Sequence, residues 1–99
     1  MRININAIHF SADRKLKEHI TNRVMNLEKY FQNIIEANVT LKLENTGRVR
    51  DKIVELQLSV PGNVIFGTAT DKRFEKATVE AISSMRRQVV KYKQRRRAR

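Results

Sequence analysis

A dense block of basic side chains after position 80 is the strongest chemical signal in this 99-residue sequence. The block has eight Lys and Arg residues and no Asp or Glu, whereas residues 1–80 have 13 basic and 10 acidic side chains. A block of one charge sign indicates a polyanionic partner, which is a nucleic acid, an anionic membrane or an acidic protein. Its members are Arg86, Arg87, Lys91, Lys93, Arg95, Arg96, Arg97 and Arg99.

The other residue types argue against catalysis. The chain has no Cys, which excludes a thiol nucleophile, a disulfide and a Cys-based zinc site. His9 and His19 do not have the spacing of a metal-binding motif, and the three glycines are too dispersed to form a phosphate-binding loop. We therefore predict a protein that is not an enzyme, with no catalytic or metal-binding residues, no cofactor and no small-molecule substrate.

Apolar residues at every second position predict four β-strands. Turn residues at positions 61–63 predict a tight hairpin between the last two strands, and positions 45–48 predict a turn between the second and third. In the last strand we expect Gly67 to face inward, because a small residue lets a helix pack closely, and Phe66 to face outward. The strands are expected at residues 2–10, 37–44, 54–60 and 64–70.

Apolar residues spaced three and four positions apart predict two helices. The first has its N-cap at Ser11, an acid at Asp13 in its first turn and its end near Asn33. The second begins at about Arg73, and its apolar stripe ends near Lys93. The residues expected to be buried are Leu16, Ile20, Val24, Leu27 and Phe31 of the first helix, and Phe74, Thr78, Ala81, Ile82, Met85, Val89 and Tyr92 of the second.

These elements predict an α+β fold in the order β-α-β-β-β-α. The middle strands alternate cleanly between apolar and polar residues, so the four-stranded, mostly antiparallel sheet is covered on one face only, by both helices. The two-layer sandwich is similar to the double-stranded RNA-binding domain. We expect one domain over residues 1–94, a basic tail over residues 95–99, and a monomer, since the apolar faces are satisfied within one copy.

Among polyanions, the sequence favours nucleic acid. A membrane is disfavoured because the apolar stripe of the last helix is used by the sheet. The order of elements does not fit the aromatic sheet of an RRM, the GXXG loop of a KH domain is missing, and a helix-turn-helix does not fit the strands. Recognition of nucleic-acid shape and phosphates by basic helix surfaces is the remaining interpretation.

Several stretches together resemble one known family over essentially the whole chain. They are INAIHFSAD at residues 5–13, VMNLEKYF at 24–31, VTLKLE at 39–44 and RQVVKYK at 87–93. The sequence is similar to the ribosome hibernation-promoting factors. Because the chain ends at Arg99, it resembles the short form of the family, or its protein Y-like branch of ribosome-associated inhibitors.

The resemblance implies a cytoplasmic, ribosome-associated protein that binds the small ribosomal subunit. Family members occupy the mRNA and tRNA channel at the A and P sites and inhibit translation by steric occlusion during stress or stationary phase. Basic residues of the two helices contact rRNA in the family. Carried over to this sequence, the rRNA-binding residues are Arg86, Arg87, Lys91, Lys93, Arg95, Arg96 and Arg97, followed by Lys76, Lys72, Arg23 and Lys29.

Two other interpretations stay open at this stage. One is a basic transcription-associated regulator, which is a sigma-factor modulator or a binder of duplex DNA. The other is an integral ribosomal protein, which would be present in ribosomes at all growth phases.

Overall fold

The computed structural model describes the backbone of residues 1–31, 33–46 and 49–97, and the side chains of these residues except 45–46, 49–50 and 96–97. Within these ranges the chain forms four strands, two α-helices and one short 3₁₀ helix in the predicted order. The elements are β1 (Arg2–Ala7), α1 (Arg14–Met25), the 3₁₀ helix (Asn26–Lys29), β2 (Glu36–Thr46), β3 (Val49–Val60), β4 (Asn63–Asp71) and α2 (Phe74–Arg97).

The described strands form a single mixed sheet in the order β1-β2-β3-β4. β1 and β2 are parallel, because α1 carries the chain back across the sheet between them. The other two pairs are antiparallel. Val39 of β2 lies between Ile5 of β1 and Leu56 of β3, and Leu56 lies opposite Gly67 of β4. The prediction of a mostly antiparallel sheet is confirmed.

Both helices pack on one face of this sheet, and their predicted apolar stripes form the core. Ile20, Val24 and Leu27 are at most 1% exposed, and the predicted stripe of α2 is buried along its whole length. Leu16 is only partly buried and lies at the margin of the core. The strands contribute Ala37, Val39, Leu41, Val54, Leu56, Leu58, Val60 and Ile65.

Two positions in the fold favour glycine, one because of its backbone conformation and one because a helix packs closely against it. Gly62, in the hairpin between β3 and β4, has φ +77°, which glycine adopts without strain. A Cβ at Gly67 would lie 3.2 Å from the carbonyl oxygen of Ala81 and from Cε of Met85, so the small residue allows α2 to approach β4. Phe66 points to the other face and is exposed, so both predicted orientations in β4 are confirmed.

Two aromatic pairs, one at each end, show that the two helices run side by side in the same direction. The rings of Phe10 and Phe74 stack with centroids 5.3 Å apart near the start of both helices. The rings of Phe31 and Tyr92 meet edge to face at 5.5 Å near their ends. The end of α1 and the 3₁₀ helix therefore lie beside the basic end of α2.

The structure corrects the predicted boundaries of the first helix. The N-cap is Asp13, whose Oδ1 accepts the backbone N–H of Leu16 at 2.8 Å, and not Ser11. The α-helix spans 12 residues and gives way to the 3₁₀ helix, where the N–H of Tyr30 donates to the carbonyl of Leu27 at 3.0 Å. The apolar spacing continues through both segments, so it predicted one longer helix.

Other boundaries also differ. β1 ends at Ala7 and not Phe10, because His9 has φ +64°, a left-handed conformation that interrupts a strand. α2 continues to Arg97, beyond the predicted end near Lys93, because Gln and Arg favour helix even where no core contact remains. Residues 95–97 of the predicted tail are thus helical, and the division of the chain at residue 94 stays a prediction. Gly47 and Arg48 of the predicted turn lie outside the described residues.

Candidate nucleic-acid interface

A basic groove lies between Tyr30, which directly follows the 3₁₀ helix, and α2 from Ser83 to Gln94. We name it the cationic groove, and its volume is about 560 Å³. Its α2 residues recur three and four positions apart, which places them along one face of the helix. A smaller depression continues the groove past Lys29 and Lys93. The groove itself is lined by Tyr30, Ser83, Arg86, Arg87, Val90, Lys91 and Gln94.

Tyr30 is held against α2 by two basic residues. The guanidinium carbon Cζ of Arg86 lies over the Tyr30 ring, 4.2 Å from its centroid. The ammonium Nζ of Lys93 donates a hydrogen bond to the backbone carbonyl of Tyr30 at 2.7 Å. Arg86 is therefore both part of the groove surface and part of its support. Lys93 uses one of its N–H donors within the protein, because it binds the Tyr30 carbonyl.

Arg87 and Lys91 are the basic residues of the groove that face solvent without compensation. Both are exposed, and they lie four residues apart on α2. Neither forms an ion pair with any carboxylate of the described side chains. Their charge is consequently available to an anion outside the protein.

The structure brings together only part of the predicted set. Arg86, Arg87, Lys91, Lys93 and Lys29 surround Tyr30. Two other predicted residues near this end of the molecule do not line the groove: Arg95 is exposed one turn after Lys91, and Arg23 is exposed in the last turn of α1. The side chains of Arg96 and Arg97 lie outside the described residues.

Lys72 and Lys76 lie at the opposite end of α2. Eleven residues separate Lys76 from Arg87, which is about 16 Å along a helix. The positive charge of Lys76 acts on the carboxylate of Asp71, whereas Lys72 contacts that carboxylate through its backbone N–H. They do not belong to the cationic groove.

Asp71 organises the turn that leads into α2. Its Oδ1 accepts the backbone N–H groups of Lys72 at 2.7 Å and Arg73 at 3.4 Å. Desolvation acts to raise the pKa of this carboxyl. The two N–H donors, with the positive charge of Lys76 and a hydrogen bond involving Glu80, outweigh it and lower the pKa below its ordinary value.

Sequence reasoning missed the groove's uncharged residues. Tyr30 precedes the buried Phe31. The helical spacing of apolar residues correctly predicted that Phe31 is in the core, but it predicted no function for Tyr30. Val90 interrupts the basic back of α2 and is 44% exposed. An exposed apolar residue within a basic block was the available signal, but only the fold places Tyr30 opposite it.

Two other classes of site find no support in the part of the chain that is described. No group of three His, Asp or Glu side chains there could hold a metal ion. None of the described helices is both long and apolar enough to cross a lipid bilayer.

The chain is a two-layer α+β domain with a basic groove along its helical layer. Residues 3–97 match the sequence model of the family described as "Sigma 54 modulation protein / S30EA ribosomal protein", and the chain belongs to this family. The predicted resemblance to ribosome hibernation factors is thereby confirmed.

Curated relatives and solved structures agree with this assignment. The chain is 28% identical over 93 residues to a ribosome hibernation promoting factor of Salmonella typhimurium, covering 94% of each protein. It is 24% identical over 94 residues to a protein of the same name from Pseudomonas putida, covering 95% of this chain and 88% of that protein.

The fold is shared with two solved structures at low sequence identity. One is a ribosomal subunit interface protein from Coxiella burnetii, with TM-score 0.86, 18% identity, and coverage of 95% of this chain and 99% of that one. The other is the Protein Y N-terminal domain from Thermus thermophilus, with TM-score 0.79, 19% identity, and coverage of 93% and 99%. The predicted fold class is confirmed.

Proposed function

We propose that this protein is a cytoplasmic ribosome hibernation factor without enzymatic activity. It binds rRNA of the small ribosomal subunit in the mRNA and tRNA channel, around the A and P sites, and inhibits translation by steric occlusion during stress or stationary phase. The observation that carries the proposal is the pair of uncompensated cations, Arg87 and Lys91, on a rigid helix of a chain that belongs to this family. The names of its curated relatives support the hibernation role.

Binding and occlusion need no chemistry beyond that of the cationic groove. Guanidinium and ammonium groups supply hydrogen bonds and charge to phosphate oxygens, with affinity that falls as salt concentration rises. A body with extents of 49 × 25 × 19 Å then fills space that mRNA or tRNA would occupy. Of the predicted rRNA contacts, we propose Arg86, Arg87 and Lys91 as the principal ones, with Lys29 and the basic residues 95–97 beside them.

Charge reversal tests this surface directly. Arg87→Glu with Lys91→Glu is expected to weaken co-sedimentation with purified small subunits by at least about tenfold, because two phosphate contacts become repulsive. The matched control is Lys15→Glu with Lys17→Glu, which makes the same change in net charge at exposed positions near the start of α1. Equal loss in both variants, or loss in neither, would contradict the proposed surface.

The description of the family also names sigma 54 modulation, which favours a second candidate function in transcription. A competition experiment separates the two. Labelled protein bound to small subunits is challenged with a short DNA duplex at physiological salt. We expect the protein to stay on the subunits, and transfer to the duplex would favour the transcription-associated role.

A further inference from the structure

Building on the proposed function, we propose that the cationic groove binds an unpaired RNA nucleotide whose base stacks on the Arg86–Tyr30 pair. Arg87 and Lys91 then bind the adjoining phosphates. The ligand class is therefore single-stranded or bulged RNA with an accessible base, and the bases of a regular duplex are excluded because they stack on one another.

The Arg86–Tyr30 pair supplies the stacking surface. Aromatic rings and guanidinium planes are the protein groups on which unstacked bases pack. Here the two groups lie together, with 4.2 Å between Cζ of Arg86 and the ring centroid, and both line the same groove. Tyr30 is 37% exposed, so a ligand can reach the pair from solvent.

The site is preorganised. The hydrogen bond from Lys93 holds the backbone of Tyr30 on α2, and the ring of the next residue, Phe31, packs edge to face on Tyr92 in the core. Tyr30 is thus fixed from both its carbonyl and its neighbour. Little conformational entropy has to be lost when a base binds to a surface that is already ordered.

Val90 is the observation that phosphate binding alone does not explain. It is an apolar side chain 44% exposed between basic neighbours in the groove. A phosphate gains nothing from an apolar wall, whereas the face of a base or a ribose loses water-exposed apolar surface against it. Val79 is exposed to a similar extent, 38%, on the same helix but outside the groove, which makes it a natural comparison.

The polar ends of the groove complete a nucleotide site. Ser83 and Gln94 lie at its two ends along α2 and offer a hydroxyl and an amide, which can donate to or accept from the edge of a base. Arg87 and Lys91 flank Val90 on either side in sequence and leave their charges to the backbone phosphates. One base and its adjoining phosphates would therefore use every group that lines the groove.

The test measures whether the protein recognises bases in addition to phosphates. Fluorescence anisotropy compares an oligoadenylate RNA with an analogue of the same length whose bases are removed, so that both carry the same phosphates. Wild-type protein is expected to bind the base-bearing oligonucleotide about five- to tenfold more tightly, since stacking on a base contributes on this order.

Arg86→Lys preserves the charge and removes the guanidinium plane. We expect it to lower the preference for the base-bearing RNA at least about twofold, because only the Tyr30 ring is then left to stack on a base. Arg87→Lys is the matched control and should keep the preference. Val90→Ala should reduce the preference by about twofold, because it removes only part of the apolar wall, whereas Val79→Ala should not change it.

Equal binding of wild-type protein to the two oligonucleotides, binding to neither at low salt, or an unchanged preference in Arg86→Lys would overturn this inference. The co-sedimentation experiment with Arg87→Glu and Lys91→Glu decides the proposed function separately. Charge-dependent binding to small subunits without any base preference leaves that function standing and removes only the stacking site. Base preference without subunit binding would support the stacking site and contradict the proposed function.

Discussion

The two halves of α2 pack in the same way and differ in charge. Residues 74–83 bury Phe74, Ala77, Thr78, Ala81 and Ile82, and residues 84–97 bury Met85, Val89 and Tyr92. The first half includes two acids and one Lys, whereas the second half includes seven Lys and Arg residues and no acid. Like charges on one helix repel each other, and of the described side chains only Arg86 and Lys93 offset this repulsion through contacts with Tyr30. From this comparison we expect the remaining charge of the second half to serve a partner outside the fold, as in the proposed function.

The shared packing gives the largest expected effect. Ile82→Ala in the first half and Met85→Ala in the second are each expected to lower the free energy of unfolding by about 2–4 kcal/mol, because both side chains are buried and leave a cavity. Chemical denaturation measures both values. A small loss for Met85→Ala alone would mean that the second half is not part of the core and that its charge belongs to a loosely attached end.

The charge difference is tested through salt dependence. Arg87→Gln with Lys91→Gln is expected to make the slope of log K against log salt shallower by about 1.5–2 for binding to small subunits, because two phosphate contacts no longer release counterions. Lys72→Gln with Lys76→Gln is the matched pair at the other end of α2 and should leave the slope nearly unchanged. Equal changes in the two variants would remove the functional distinction between the two halves.

The contact of Arg86 with Tyr30 predicts a smaller effect on stability. Arg86→Ala is expected to lower the free energy of unfolding by about 0.5–1 kcal/mol, the range for an exposed cation–π contact. Arg87→Ala, which removes an exposed charge from the same turn without such a contact, should have less effect. Thermal denaturation at neutral pH compares them, and an equal effect of both substitutions would argue against the support role of Arg86.

The smallest effect is expected at Asp71, at the start of the first half. Its pKa is lower in the folded protein than in the unfolded chain, so the carboxylate stabilises the fold above the unfolded pKa, and this stabilisation is lost as pH falls through the folded pKa. Asp71→Asn should therefore lower the melting temperature slightly at neutral pH. The difference from wild type should shrink under acid conditions, and a difference that does not vary with pH would contradict the assignment.

Local patterns were sufficient to predict most of the fold. The α2 stripe from Phe74 to Tyr92 and the orientation of Phe66 and Gly67 follow from periodicity and side-chain size, and the structure confirms them. Element ends were less predictable. Ser11 and Asp13 are both good N-cap residues, and the choice depends on which of them meets the N–H of Leu16 in the folded chain.

The candidate site, like the fold, has features that the sequence predicts and features that only the folded structure shows. The sequence alone determined that a basic block exists and that α2 carries it away from the core, because charge and helical period are properties of neighbouring residues. Only the tertiary structure decided which of these cations lie together. The parallel course of the two helices brings Tyr30 beneath Arg86 and binds Lys93 to its carbonyl, and it leaves Lys72 and Lys76 beside Asp71 at the far end. Contacts between residues more than fifty positions apart depend on how the helices pack on the sheet, and no local pattern encodes that distance.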